Sequence, residues 1–241
     1  MFPLRDENPT ESRAVVTVAI LLANIAVWFY VQGGGSSEAA LLDSVCRYGA
    51  IPAEISGRTG EYAGVELAPG YRCAFGGASW VTLLTSMFMH GSWLHLIGNM
   101  WFLWIFANNI EDTLGHVRFA IFYVVTGVTA AATHIVLDPA SPVPMVGASG
   151  AISGVMGGYL LLFPRVRIQT LFVIFIFVRI LPIPAWLVLL EWFGIQLLIA
   201  LTPEAGAGVA FWAHIGGFVA GVLLIKPFHW TAWRRRRRRF A

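Results

Sequence analysis

Three separated stretches of this chain carry residues whose types could do nucleophilic chemistry: Ser149 in Gly147-Ala148-Ser149-Gly150, His214 in Ala213-His214-Ile215-Gly216-Gly217, and the pair His95 and Asn99. A serine hydroxyl becomes a useful nucleophile when a base within about 2.6–3.2 Å takes its proton, and His214 is the candidate base. Attack on a peptide carbonyl creates an oxyanion that needs preorganised donors, each typically worth ~10²- to 10³-fold in rate. His95 and Asn99 stand at i and i+4, so their side chains leave one helical face and both can donate. The Ser149 backbone N–H, at a helix start with its positive dipole end, is a third donor. No aspartate shares an apolar segment with His214, so the pattern predicts a Ser–His dyad.

The elements that must position these groups are membrane helices. With 57% hydrophobic and 12% charged residues and a mean hydropathy of +0.70, the chain is far more apolar than a soluble domain, whose charged fraction is about 25%. The expected fold class is all-α, a polytopic bundle of six transmembrane helices over 15–226. A cytoplasmic segment, 1–14, precedes it and a basic cytoplasmic tail, 227–241, follows. Asp6, Glu7 and Glu11 beside Arg5 and Arg13 make a poor signal-peptide start, so Val15 to Val31 reads as an uncleaved first span. A large extracytoplasmic loop, 32–92, holds Cys46 and Cys73; a disulfide and two free thiols both fit. Within it, Ser79 to Met89 is apolar but shorter than the roughly 20 residues of a span, which predicts an interfacial or re-entrant piece.

The second span runs from Trp93 to Ala107, closed by Asn108-Asn109-Ile110-Glu111-Asp112, and the third from Phe119 to Val136. The fourth begins at Ser149 and stops at Phe163-Pro164-Arg165, which makes it ~21 Å long at ~1.5 Å per residue. A hydrocarbon core is ~30 Å thick, so one end is submerged. Arg165 and Arg167 hold the C-terminal end at the cytoplasmic interface. Ser149 is then the buried end, reached by Pro142-Val143-Pro144-Met145-Val146. Irregular backbone at that depth is tolerated only against protein or a wet cavity, so a water-accessible pocket is expected at Ser149. Thr170 to Val178 reads as an interfacial element, because a further span there would put Arg165 and Arg167 opposite the tail, Arg234 to Arg239. The fifth span is Ala185 to Leu201; a loop with Pro203, Gly206 and Gly208 leads to the sixth, Val209 to Ile225.

Under this topology His95, Asn99, Ser149 and His214 fall at one depth, and ionisable groups inside spans are functional hypotheses by default. Ser149, Ser153 and Gly157 fall at i, i+4 and i+8 with Gly150, Gly154 and Gly158 beside them, and Gly217 and Gly221 follow His214 at i+3 and i+7. Small-xxx-small faces let helix backbones approach closely. The plain alternatives are a glycine-zipper contact with an incidental serine and histidine, and interhelical hydrogen bonding by His95 and Asn99. For His90, tying down the adjacent loop is the better reading. Glu191, in the fifth span, is expected to face inward, as structural glue or in a polar cavity.

Competing chemistries fit less well. A G-x-S-x-G elbow needs glycine two after the serine, where this chain has Ala151, and no strand–helix alternation surrounds it. No H-E-x-x-H is present. His90, His95 and His214 match no common ligand spacing, so no metal or cofactor is expected. The arginine tail reads as a topological anchor and not a nucleic-acid site. A transporter using Glu191 and the histidines would favour internal repeats, and the spans do not divide into similar halves.

These residues together resemble the rhomboid family of intramembrane serine proteases. The resemblance rests on His90-x4-His95-x3-Asn99, Glu111 with Gly115, Gly147-Ala148-Ser149-Gly150 and Ala213-His214-x2-Gly217-x3-Gly221, and covers roughly Trp80 to Ile225. It implies Ser149 as nucleophile, His214 as general base and acid, and an oxyanion site from His95, Asn99 and the Ser149 amide. His90, Gly147, Gly150, Gly217 and Gly221 are in support. It further implies cleavage of other membrane proteins within or beside a transmembrane segment in the lipid bilayer, with a small residue before the cut. Location in the cell membrane, both termini cytoplasmic and the site open to the other side, follows from the same reading. The alternative is a catalytically silent relative that binds or escorts membrane clients. Two positions depart from the family: Trp80-Val81 stands where some members have Trp-Arg, and Ser153 where some have a tyrosine stacking on the base, which leaves open what holds the His214 ring.

Overall fold

The structure is a computed structural model and describes residues 1–60, 63–76, 79–174, 177–202 and 210–239. Its elements in order are β1 (Phe2–Asp6), α1 (Val15–Tyr30), α2 (Glu38–Tyr48), α3 (Pro52–Ile55), β2 (Gly64–Ala68), β3 (Tyr71–Ala74), α4 (Thr82–Thr85), α5 (Trp93–Leu114), α6 (His116–Leu137), α7 (Ser149–Leu162), β4 (Arg167–Ile174), β5 (Phe177–Pro184), α8 (Ala185–Ala200) and α9 (Phe211–Arg239). The fold is mostly helical, but the all-α expectation needs correction, since the described residues include two sheets.

The short helix α7 sits at the centre of the bundle, packed by α5, α6 and α9. Nine of its 14 residues are buried, from Ala151 to Tyr159. The small residues decide how close its neighbours come. A Cβ on Gly217 would strike the Gly150 carbonyl, one on Gly221 the Gly154 carbonyl, and one on Gly157 the Phe218 carbonyl. The backbones of α7 and α9 are therefore in direct contact, as small-xxx-small faces permit. On the other side, Gly154 takes the Thr126 side chain and Gly150 the Ala130 methyl, both from α6. Below this seam lies the main apolar core, with Phe106, Phe119, Phe122, Tyr159 and Leu189 fully buried. Among the described residues, His116–Leu137 and Phe211–His229 are long and apolar enough to cross a membrane, while Val15–Tyr30, Ser149–Leu162 and Ala185–Ala200 are apolar but shorter.

Sheet β1-β4-β5 closes the end of the bundle beneath α7. Where an interfacial element is expected, Thr170 to Val178, the described residues form the antiparallel strand pair β4–β5, whose register runs from Arg167↔Pro184 to Ile174↔Phe177. Its β-branched and aromatic residues fit a pleated surface, and Pro182 and Pro184 are tolerated because β5 is an edge strand. The N-terminal segment adds β1 antiparallel to β4. Under the C-terminal end of α7, Asp6 accepts from the Tyr159 hydroxyl (2.7 Å) and from Asn109 Nδ2 (2.7 Å).

That docking explains a second correction. The polar run Asn108 to Asp112 does not end a helix; α5 continues to Leu114 and turns into α6 at Gly115, φ +80°. Its polar groups are satisfied by the N-terminal segment. Glu111, fully buried, accepts from the Val16 and Thr17 amides (2.8 Å each) and the Thr17 hydroxyl (2.7 Å), and pairs with His116 Nδ1 at 2.6 Å. It thereby caps the first turn of α1, whose N–H groups have no helical partner. Asp112 accepts from the Glu11 and Ser12 amides (3.1 and 2.9 Å) and the Ser12 hydroxyl.

At the opposite end, the large loop is built from α2, α3, the β2–β3 hairpin and the short turns α4 and Ser86–Phe88. Cys46 and Cys73 are joined, tying α2 to β3. Trp80 and Val81, the departing pair, are exposed. Ala50 and Met145 exchange both backbone hydrogen bonds (3.0 and 2.8 Å), the Ala53 amide donates to Ser141 (2.9 Å), and the Gly147 amide donates to Ser86 (2.9 Å). The loop thus clasps the non-helical segment that delivers Ser149. Helix α9, where the sixth span is expected, extends beyond Ile225, running through Pro227 into the basic tail. Pro203, Gly206, Gly208 and the expected start of this helix at Val209 lie outside the described residues.

Candidate active site

Ser149 opens α7, and His214 lies in the first turn of α9. The close seam between these helices brings His214 Nε2 to 2.8 Å from Ser149 Oγ. The other ring nitrogen, Nδ1, lies 2.8 Å from Gln196 Oε1 on α8. Trp192, one turn earlier on α8, lies 6.0 Å from the imidazole, and Phe211 meets it edge-on at 6.0 Å. Ser153, in the departing position, instead donates to the Ser149 carbonyl at 2.6 Å. The ring is thus bracketed by Trp192 and Phe211, and its far nitrogen is met by Gln196. Sequence reasoning missed Gln196; the signal for it was a polar residue inside an apolar helix, where attention fell on Glu191.

His95 and Asn99 project from α5 toward the turn before Ser149. Gly147 adopts φ +119°, and a Cβ there would lie 2.6 Å from His95 Nε2 and 3.4 Å from Asn99 Nδ2. Only glycine lets both side chains reach that turn. His95 Nδ1 faces the Gly91 amide at 3.4 Å, and a nitrogen that accepts there leaves Nε2 as the N–H donor directed at the site. Asn99 Nδ2 is buried without a hydrogen-bond partner among the described residues, a donor free for an incoming group. The Ser149 amide, at the first turn of α7, needs no intrahelical acceptor.

These groups line one cavity of about 910 Å³, which holds Ser149, His214, His95, Asn99, Gln196 and Gly147 on its wall. Gly150 lines it as well, while Gly217 and Gly221 act from outside by bringing α9 close. His134 and Asp138 at the end of α6 complete the polar part. Irregular backbone at 141–147 borders it, with Ser141, Met145 and Gly147 hydrogen-bonded to the large loop.

His90 is fully buried beside His95, with ring centroids 5.2 Å apart. Burial first, and the neighbouring His95 second, hold its imidazole down at about 3, with the Phe88 backbone pulling weakly the other way, so the ring is neutral. Its backbone is gripped by Gln32, whose amide donates to the His90 carbonyl and accepts from its N–H, each at 2.8 Å. Glu191 does not face the cavity: its carboxylate is partly exposed and lies 3.4 Å from the Met1 nitrogen. Among the described residues no three His, Cys, Asp or Glu side chains are grouped to hold a metal ion.

Comparison with known proteins is decisive about kinship. The rhomboid family, described as Rhomboid domain, matches residues 77–231. The chain belongs to the rhomboid family. Rhomboid proteins are integral membrane proteins, and this chain is one. It is similar to "Putative rhomboid protease YdcA" of Bacillus subtilis, 34% identical over 95 residues, covering 39% of this chain and 47% of that protein. It is similar to the mouse "Presenilin-associated rhomboid-like protein, mitochondrial", 29% identical over 162 residues, covering 64% of this chain and 40% of the other. "Rhomboid-like protein 11, chloroplastic" of Arabidopsis thaliana is 37% identical over 76 residues, covering 32% and 27% of the two chains. The matched region is less than half the length of each of these relatives.

Proposed function

We propose that this rhomboid is an intramembrane serine endopeptidase that cleaves transmembrane segments of other membrane proteins. The observation that carries the reading is the 2.8 Å contact of His214 Nε2 with Ser149 Oγ inside a shared cavity. His214 takes the Ser149 proton as Oγ bonds to the scissile carbonyl carbon. The resulting oxyanion is met by the His95 and Asn99 side chains and the Ser149 amide. As the C–N bond breaks, His214 returns the proton to the leaving amine. Water then hydrolyses the acyl-enzyme by the same two transfers, with His214 again as base and acid.

Six spans, with both termini cytoplasmic and the cavity opening to the other side, complete the proposal. The pairing of β1 with β4 supports it, because it requires the N-terminus and the α7–α8 connection to share one side. The Cys46–Cys73 disulfide supports an oxidising compartment for the opposite loop. The cell membrane fits that arrangement.

Purified wild type should cleave a single-span substrate and label at Ser149 with a fluorophosphonate. Ser149→Ala should fold and do neither. Undiminished cleavage by Ser149→Ala would sink the reading, and a wild type that neither labels nor cleaves would favour a silent client-binding relative.

A further inference from the structure

We propose that Gln196 is a positioning residue that holds His214 in the tautomer able to deprotonate Ser149. The proposal rests on the hydrolase reading above for its catalytic meaning, but its structural content stands on geometry alone. A neutral imidazole has one N–H and one lone pair. An amide oxygen accepts and cannot donate, so Gln196 Oε1 at 2.8 Å from Nδ1 requires the hydrogen on Nδ1. The Nε2 lone pair then faces the Ser149 hydroxyl at 2.8 Å. Were the amide turned to offer its NH₂ group, Nδ1 would accept, Nε2 would carry the hydrogen, and the serine would lose its base.

The surroundings divide the work. Trp192 and Phe211 confine the ring but form no hydrogen bond with it, so neither selects a tautomer. Gln196 and Trp192 stand at i+4 and i on α8, so one helical face supplies both the confinement and the acceptor. A carboxylate in this role would also stabilise the imidazolium; a glutamine orients the ring without bringing a charge into the membrane domain. The titratable groups facing His214 from the packed helices are His95 on α5 and His134 on α6, with Asp138 beyond His134 on the same cavity wall. α7 presents the hydroxyl of Ser149, α8 presents the neutral Gln196 and Trp192, and Glu191 is turned away toward Met1. A carboxylate at position 196 would therefore be the negative charge nearest the ring.

The test begins with the intact wild-type protein, ¹⁵N-labelled at histidine, in lipid bicelles at neutral pH. His214 is expected to carry its hydrogen on Nδ1; an Nε2–H signal overturns the proposal. In the kinetic arm, Gln196→Leu removes the acceptor at similar volume. It should lower kcat about 10- to 100-fold, part of the ~10²- to 10⁴-fold a general base supplies, and leave KM unchanged. Gln196→Glu should recover rate and move the acid limb of the pH–rate profile to higher pH, because an adjacent carboxylate favours the protonated ring. A wild-type kcat in Gln196→Leu, or an unmoved acid limb in an active Gln196→Glu, overturns it. If the wild type neither cleaves nor labels, the hydrolase reading fails, while the tautomer signal still decides the relation of Gln196 to His214.

Discussion

Gly221 of α9 rests directly on the carbonyl of Gly154 in α7, with no room for a Cβ between them. This contact lies between about one and two turns below the Ser149–His214 pair and sets the separation of the helices that carry them. In Gly221→Val the added atoms must push the helices apart, and overpacking of this kind costs about 1–3 kcal/mol. The variant should unfold at lower temperature in detergent and lose fluorophosphonate labelling at Ser149. Labelling at the wild-type rate would show that the seam does not control the pair.

Gly147 couples backbone shape to the oxyanion donors. Gly147→Ala meets both the strain of φ +119° and a collision with His95 Nε2 at 2.6 Å. It should reduce kcat by about 10²- to 10³-fold, the worth of one displaced donor. Asn99→Ala should fall in the same range without backbone strain. Steady-state cleavage of a single-span substrate checks both, and a full-rate Gly147→Ala would exclude the close approach of His95.

The Cys46–Cys73 bridge closes a loop across a separation of 27 residues. Its removal in Cys73→Ser should cost about 3.5 kcal/mol on the chain-entropy scale. Since the clasped loop also pairs Ala50 with Met145 before Ser149, cleavage should fall as well. Thermal unfolding of wild type with and without reductant provides the control: the variant should match reduced wild type, and a variant as stable as the oxidised protein would contradict the expectation.

Asp6 gives the β1-β4-β5 sheet a pH dependence. Desolvation by burial raises its carboxyl above the ordinary 3.8, outweighing the hydrogen bonds from Tyr159 and Asn109 that pull it down. A raised folded value means that docking of β1 is favoured by the protonated form. That stabilisation is complete below 3.8 and is lost as pH rises through the folded value. Hydrogen-exchange protection of the β1 amides should therefore decline across this window in wild type, and stay level in Asp6→Asn. A matching decline in both proteins would assign the effect to another group.

Much of the bundle was legible because its signals are local. The apolar runs of α1, α6 and α8 give their ends within a few residues, and Pro164 with the arginines after it marks the stop of α7. The i, i+4 spacing of small residues reports the faces of α7 and α9 that meet. The polar run at Asn108 to Asp112 misled for a physical reason. Its satisfaction comes from residues about a hundred positions away, at Asp6, Ser12 and Thr17, so nothing local distinguishes a helix end from a helix that continues. The three-stranded sheet was hidden in the same way, since β1 pairs with a strand more than 160 residues later.

The sequence by itself determined which groups are present and which share a face: a serine at the start of a helix too short to cross a bilayer, a histidine on a small-faced helix, and a donor pair one turn apart. Those are properties of composition and helical period. Only the tertiary structure decided that Gln196 meets the far nitrogen of His214, that Trp192 and Phe211 flank the ring where Ser153 cannot, and that Gly147 lies against His95. Gln196 and Trp192 reach the ring from α8, and the loop backbone at Gly147 meets a side chain of α5, so these relations depend on how separate elements are set against one another, with Phe211 joining from the ring's own helix. No periodicity along one helix encodes how its neighbour is rotated, so the tautomer of the base is a property of the assembled bundle.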